Sequence, residues 1–134
     1  FLVMNGDVLT DLDLNALWND HIAGGSALTV ATFRRSVHID FGVLQYDEHR
    51  RVHAFQEKPV HCYDVSMGIY ILNRRCLQFV TRGVAMGFDQ LVLELLRAGE
   101  VVRSFPHQGR WLDLGRREDY ERANREQAEA DGIG

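Results

Sequence analysis

The apolar residues of this chain switch repeatedly between a period of two and a period of 3.6. That switching restricts the fold to interleaved strands and helices. Residues 1–6 open on an apolar run that predicts a buried strand. "DLDLNALWNDHIAGG" predicts a helix that Asp11 or Asp13 can cap, with Leu14, Leu17, Trp18 and Ile22 along one side and Trp18 in the core. Gly24-Gly25 stops it, and "ALTVATF" (27–33) predicts a strand. "DFGVLQYDEHRRVHAFQEKP" predicts two strands about a polar turn at Asp47–Arg50, closed by Pro59. "SMGIYIL" (66–72) predicts another strand. "FDQLVLELLRAGE" is the clearest helix, with Phe88, Leu91, Val92, Leu95 and Leu96 on one side and Gly99 at its end. "EVVRSF" and "GRWLDLG" predict short strands, "REDYERANREQAEA" a polar helix, and "ADGIG" a frayed tail. The order predicts one layered α/β domain over residues 1–134, mostly parallel, with an inserted β-hairpin.

In open α/β sheets ligands collect beyond the carboxyl ends of strands. Three acids fall at or near such ends. Asp7 follows the first strand after a glycine, Glu57 precedes Lys58 and Pro59, and Asp113 lies between Trp111-Leu112 and Leu114. A carboxylate in apolar company is costly unless compensated. A salt bridge or cap would compensate each acid separately; a divalent cation could compensate them together.

Composition narrows the partners. The 134 residues carry a formal charge of −4, which gives no electrostatic reason to expect nucleic acid. No apolar run approaches a membrane span. Cys62 and Cys76 lack metal or disulfide spacing, so a reduced, cytoplasmic setting is expected. Lys58 is the single lysine among fifteen basic residues. Lys is a compact point charge where Arg is a planar fork, so a lone Lys can mark a place a guanidinium does not fit.

Rival motifs are weaker. "DLD" (11–13) has the Asp-x-Asp form that holds metal in many sugar transferases, yet it stands where a helix cap belongs. His61 and Cys62 are adjacent and diverge in an extended chain. The arginine pairs at 34–35, 50–51, 74–75 and 116–117 fit solvated turns. No G-x-S-x-G or P-loop pattern occurs.

Five segments, in order, resemble the sugar-1-phosphate nucleotidyltransferases: "FLVMNGDVLTDLDL", "DFGVLQYDEHRRVHAFQEKP", "VSMGIYIL", "FDQLVLELLRAGE" and "GRWLDLGRREDYERAN". The resemblance implies a Rossmann-like fold and transfer of a nucleotidyl group from a nucleoside triphosphate to a sugar-1-phosphate. It implies Mg²⁺ on Asp7 and Asp113, Lys58 on the sugar phosphate, Glu57 on sugar hydroxyls, and Gly42 with Ser66–Met67 lining the sugar pocket. The family's glycine-rich nucleotide loop and first strands are not among these residues. The resemblance therefore implies the C-terminal, sugar-phosphate and metal part of the domain, without turnover of its own. An uncovered first strand would favour homo-oligomers through its edge. The alternatives are a non-catalytic binding or assembly module on the same fold, and a metal-dependent glycosyltransferase using "DLD".

Overall fold

The computed structural model describes residues 1–130 and 132. The chain forms β1 (Leu2–Met4), β2 (Val8–Thr10), α1 (Leu14–Gly24), β3 (Leu28–His38), β4 (Gly42–Tyr46), β5 (Val52–Glu57), β6 (Val60–Leu72), a 3-10 turn (Arg74–Phe79), α2 (Phe88–Arg97), β7 (Val102–His107), β8 (Trp111–Asp113) and α3 (Arg117–Ala130). It divides into two compact units: Phe1–Phe33 with the chain from Ser66 onward, and Arg34–Val65. The tail expected to fray falls largely outside the described residues. No helix among them is long and apolar enough to cross a membrane.

The main sheet has the order β1-β6-β3-β7. It is mixed, not mostly parallel as the sequence predicted. β3 and β7 run parallel, from Leu28↔Val102 to Phe33↔His107, because the chain between them includes α2. β1 pairs antiparallel with β6, from Leu2↔Ile71 to Met4↔Ile69. β3 and β6 are antiparallel too. The Ile39 amide donates to the Pro59 carbonyl at one end, and the Asn73 amide to the Ala27 carbonyl at the other. The reason is the connection. Parallel neighbours need a crossover, usually a helix, and β3 leads to β6 through strands alone. Both strands also outrun their apolar cores: residues 34–38 and 60–65 are largely exposed extensions.

α1 begins on Asp13, whose carboxylate accepts from the Asn15 and Ala16 amides at 2.9 and 3.1 Å. It ends at Gly25, left-handed at φ 58°, whose amide donates to the Ile22 carbonyl. The helix buries Leu17 and His21, whereas Leu14, Trp18 and Ile22 are exposed at 39%, 42% and 63%. Of the expected apolar side only Leu17 faces the core, and Trp18 is a surface residue. His21 replaces it because its ring has partners: Nδ1 lies 2.9 Å from Thr29 Oγ1 and 3.2 Å from Ser26 Oγ, and all three residues are buried. A buried polar group is tolerated when it is hydrogen-bonded.

α2 turns most of its predicted apolar side inward, whereas Leu96, expected on that side, is 54% exposed. Leu91 and Leu95 enter a cluster with Ala27, Leu28, Tyr70, Leu72 and Cys76, and Phe88 stacks on Tyr70. Gly99 (φ 74°) closes the helix: its amide donates to Leu96 and that of Glu100 to Leu95, the paired bonds of a Schellman end. β2 and the 3-10 turn were not legible in the sequence. The turn buries Cys76, whose thiol donates to the Ala27 carbonyl at 3.0 Å.

Candidate functional site

Two groups of candidate residues fall in the two units. In the first unit, β2 and β8 form an antiparallel ribbon with Val8 opposite Asp113 and Thr10 opposite Trp111. Asp7 directly precedes β2, and its carbonyl accepts the Leu114 amide at 2.8 Å. This register brings together two carboxylates remote in sequence. A side-chain carbon placed on Gly115 would lie 2.9 Å from Asp7 Oδ2 and 3.2 Å from Asp113 Oδ1. Glycine at 115 leaves that space between the acids open. Asp113 Oδ1 also accepts the Gly115 amide at 3.1 Å, which fixes its rotamer.

Below the ribbon lies a support that the sequence did not disclose. Asp119, in the first turn of α3, is 4% exposed, and its Oδ2 accepts the Asp113 amide at 3.2 Å. Arg122 donates to Asp119 Oδ1 at 3.2 Å and to the Trp111 carbonyl at 3.3 Å. The only signal was an acid in the first turn of a polar helix, which reads equally as a macrodipole partner. Trp111 in turn donates its indole N–H to the Met67 carbonyl at 3.2 Å.

Ser66 and Met67 belong to the same unit. Met67 is buried, and its carbonyl accepts the Trp111 indole N–H. Ser66 Oγ donates to Tyr70 Oη and accepts from the Gly68 amide. The Asn5 amide donates to the Gly68 carbonyl at 2.8 Å, which sets the Asn5-Gly6-Asp7 turn beside this segment.

The second unit holds Gly42, Glu57 and Lys58. β4 and β5 pair antiparallel, with Gly42 opposite Glu57 and Leu44 opposite Phe55. Lys58 follows β5 with φ at +43°, a left-handed conformation uncommon outside glycine. Its amide donates to the Phe41 carbonyl at 3.2 Å, and its Nζ lies 3.2 Å from Asp40 Oδ1. Buried Pro59 then carries the chain into β6.

The "DLD" acids separate. Asp13 caps α1, while Asp11 Oδ1 bonds His107 Nε2 at 2.8 Å and accepts the Arg110 amide at 2.6 Å. The Arg110 amide, helped by the His107 ring, holds the Asp11 carboxyl below the usual carboxylate range. Among the described residues no three His, Cys, Asp or Glu side chains form a metal cage. Mg²⁺ does not require one, since it keeps several waters and binds through one or two carboxylates plus substrate phosphate. The Asp7–Asp113 pair, with the space at Gly115 between, fits that donor set.

The paired acids lie beside one strand ribbon of an α/β fold, the kind of strand-end position where ligands collect. The sequence profile described as "Nucleotidyl transferase" matches residues 1–130, and the chain belongs to that family. It is 40% identical over 88 residues to glucose-1-phosphate adenylyltransferase 2 of Vibrio vulnificus, a match covering 58% of this chain and 22% of that protein. It is 27% identical over 124 residues to mannose-1-phosphate guanyltransferase of Candida albicans, covering 90% and 34%. The chain thus spans about a third or less of the curated relatives it matches. In fold it is similar to HddC from Yersinia pseudotuberculosis, with a TM-score of 0.61, 22% identity, and coverage of 92% of this chain and 53% of that one.

Proposed function

We propose that this chain supplies the metal and sugar-phosphate part of a sugar-1-phosphate nucleotidyltransferase. In the proposed reaction a phosphate oxygen of the sugar-1-phosphate attacks the α-phosphorus of a nucleoside triphosphate. The bond from that phosphorus to the β-phosphate oxygen breaks, and pyrophosphate leaves with the electron pair. Two anions must approach each other, so most of the catalysis is positioning and charge neutralisation.

Asp7 and Asp113 are the ligands of Mg²⁺ in this reading, and Gly115 keeps the space between them clear. When bound, Mg²⁺ neutralises phosphate oxygens as charge shifts to the leaving group. Asp119 and Arg122 position Asp113 through its backbone. Lys58 receives the sugar phosphate, which displaces the exposed Asp40 carboxylate as its counter-ion. Glu57 accepts hydroxyl hydrogens of the sugar with Gly42 beside it on the β4–β5 ribbon, and Ser66 and Met67 are assigned to sugar binding from the first unit. These 134 residues contain no glycine-rich triphosphate loop. The chain alone is therefore expected to bind sugar phosphate and metal without turning over. We further assign the open edge of β1 to self-association between copies. Phe1, Leu2, Val3 and Met4 are each 40–46% exposed there, and apolar strand edges template pairing.

The observation that carries the reading is the meeting of Asp7 and Asp113 across the Gly115 gap. Mn²⁺ titration followed by electron paramagnetic resonance tests it on the chain itself. One site that disappears in both Asp7→Asn and Asp113→Asn is expected. A site unchanged in both variants would refute the assignment.

A further inference from the structure

On the β4–β5 ribbon, Gly42, Leu44, Phe55 and Glu57 share one face, because cross-strand partners and alternate residues point the same way. Gly42 and Phe55 are diagonal neighbours, and the Phe55 ring reaches along that diagonal. A side-chain carbon on Gly42 would stand 2.7 Å from the ring's Cε2 and Cζ and 3.3 Å from Glu57 Oε2. The far edge of the ring therefore lies over the Gly42 backbone, and the Glu57 carboxylate converges on the same spot. Packing does not consume the ring, because Phe55 remains 62% exposed. The open ring and the Glu57 carboxylate thus present a flat apolar surface and an acceptor side by side.

We infer that Phe55 is a specificity residue: an aromatic platform on which the apolar face of a pyranose ring stacks while Glu57 accepts its hydroxyls. The chemistry of the pair matches that of a sugar. A pyranose presents a patch of C–H groups on one face and hydroxyls around its rim, so it suits one flat apolar surface and one acceptor at its edge. Aromatic rings attract polarised C–H groups through the negative charge of their faces. Lys58, the next residue after Glu57, supplies the cation for a phosphate on the same ligand. Gly42 enters for a stated reason: any larger residue would push the ring off the backbone and away from Glu57. The inference rests on the sugar-phosphate reading above and adds what would distinguish a cyclic sugar phosphate from any other phosphate ester.

The test is calorimetric titration of the chain with glucose 1-phosphate, glycerol 3-phosphate and inorganic phosphate. Phe55→Leu keeps apolar volume and removes the flat face. It is expected to weaken glucose 1-phosphate about three- to tenfold while leaving the other two probes unchanged. Phe55→Trp is expected to retain the preference, and amide spectra of residues 42–57 report whether the ribbon persists in each variant. Equal affinity of wild type and Phe55→Leu for glucose 1-phosphate would overturn the inference and leave the Lys58 assignment standing. Equal weakening of all three probes would overturn it as well, since the ring would then only brace the ribbon. Absence of binding by wild type to every probe would overturn the sugar-phosphate reading together with it.

Discussion

Asp113 ends one strand of an antiparallel ribbon and Asp7 directly precedes the other, with carboxylate oxygens 3.2 and 2.9 Å from the point where a Gly115 side chain would begin. Gly115 has no left-handed backbone to explain it, so its lack of a side chain is what this place uses. Gly115→Ala is expected to fold normally and to weaken Mn²⁺ binding by about tenfold, the scale at which groups around a metal ligand tune affinity. Paramagnetic titration beside a thermal melt separates the two effects. Unchanged Mn²⁺ affinity with an intact melt would show that the ion lies elsewhere.

Asp119 is a buried acid whose two oxygens are both engaged, one by the Asp113 amide and one by Arg122. Asp119→Ala leaves the Asp113 amide and the Arg122 guanidinium short of a partner. The cost should be about 1–3 kcal/mol in urea unfolding, the scale for stranding a buried polar group. Arg122→Ala should be milder, because that side chain is 44% exposed. A double-mutant cycle with no coupling between 119 and 122 would contradict this picture.

The His21 ring, with the Ser26 and Thr29 hydroxyls against it, is held below its ordinary pKa by burial, with help from the N-terminal ammonium and Arg75 and against Asp20. The unfolded chain binds this proton more readily than the folded one. Stability should therefore be full above the ordinary histidine value of about 6.5 and fall as the pH drops below it, levelling only under the lowered folded value. Melting temperatures from pH 8 to pH 5 should decline over that interval in wild type, and much less in His21→Asn. Parallel pH profiles for the two would exclude His21 as the source.

β1 lies at the end of its sheet with every residue half-exposed. Light scattering at high micromolar concentration should show dimers or larger species, and Val3→Lys should return them to monomer by placing a charge on the edge. A monomer in wild type under those conditions removes the assignment.

The element order was readable because each segment carries its own period. α2 shows this best: its Schellman glycine and the burial of Leu91 and Leu95 agree with the pattern, and only Leu96 of the expected side stays exposed. α1 shows the opposite case. Its apolar side chains looked like a core face, but of them only Leu17 turns inward, beside His21, whose ring finds the Ser26 and Thr29 hydroxyls. β2 escaped notice because a three-residue strand is too short to display a period. The parallel sheet was expected from the alternation of helices and strands, and the helix-free path from β3 to β6 decided otherwise.

From its own residue pattern the chain determined where strands and helices form and placed acids at strand ends, because propensity, capping and period act over a few neighbouring residues. Tertiary structure alone decided that Val8 pairs with Asp113, and so that Asp7 meets Asp113 over Gly115. It also decided that Asp119 is buried beneath them. Those are choices of register between segments far apart in sequence. They depend on which long-range packing closes the core, which no local stretch encodes.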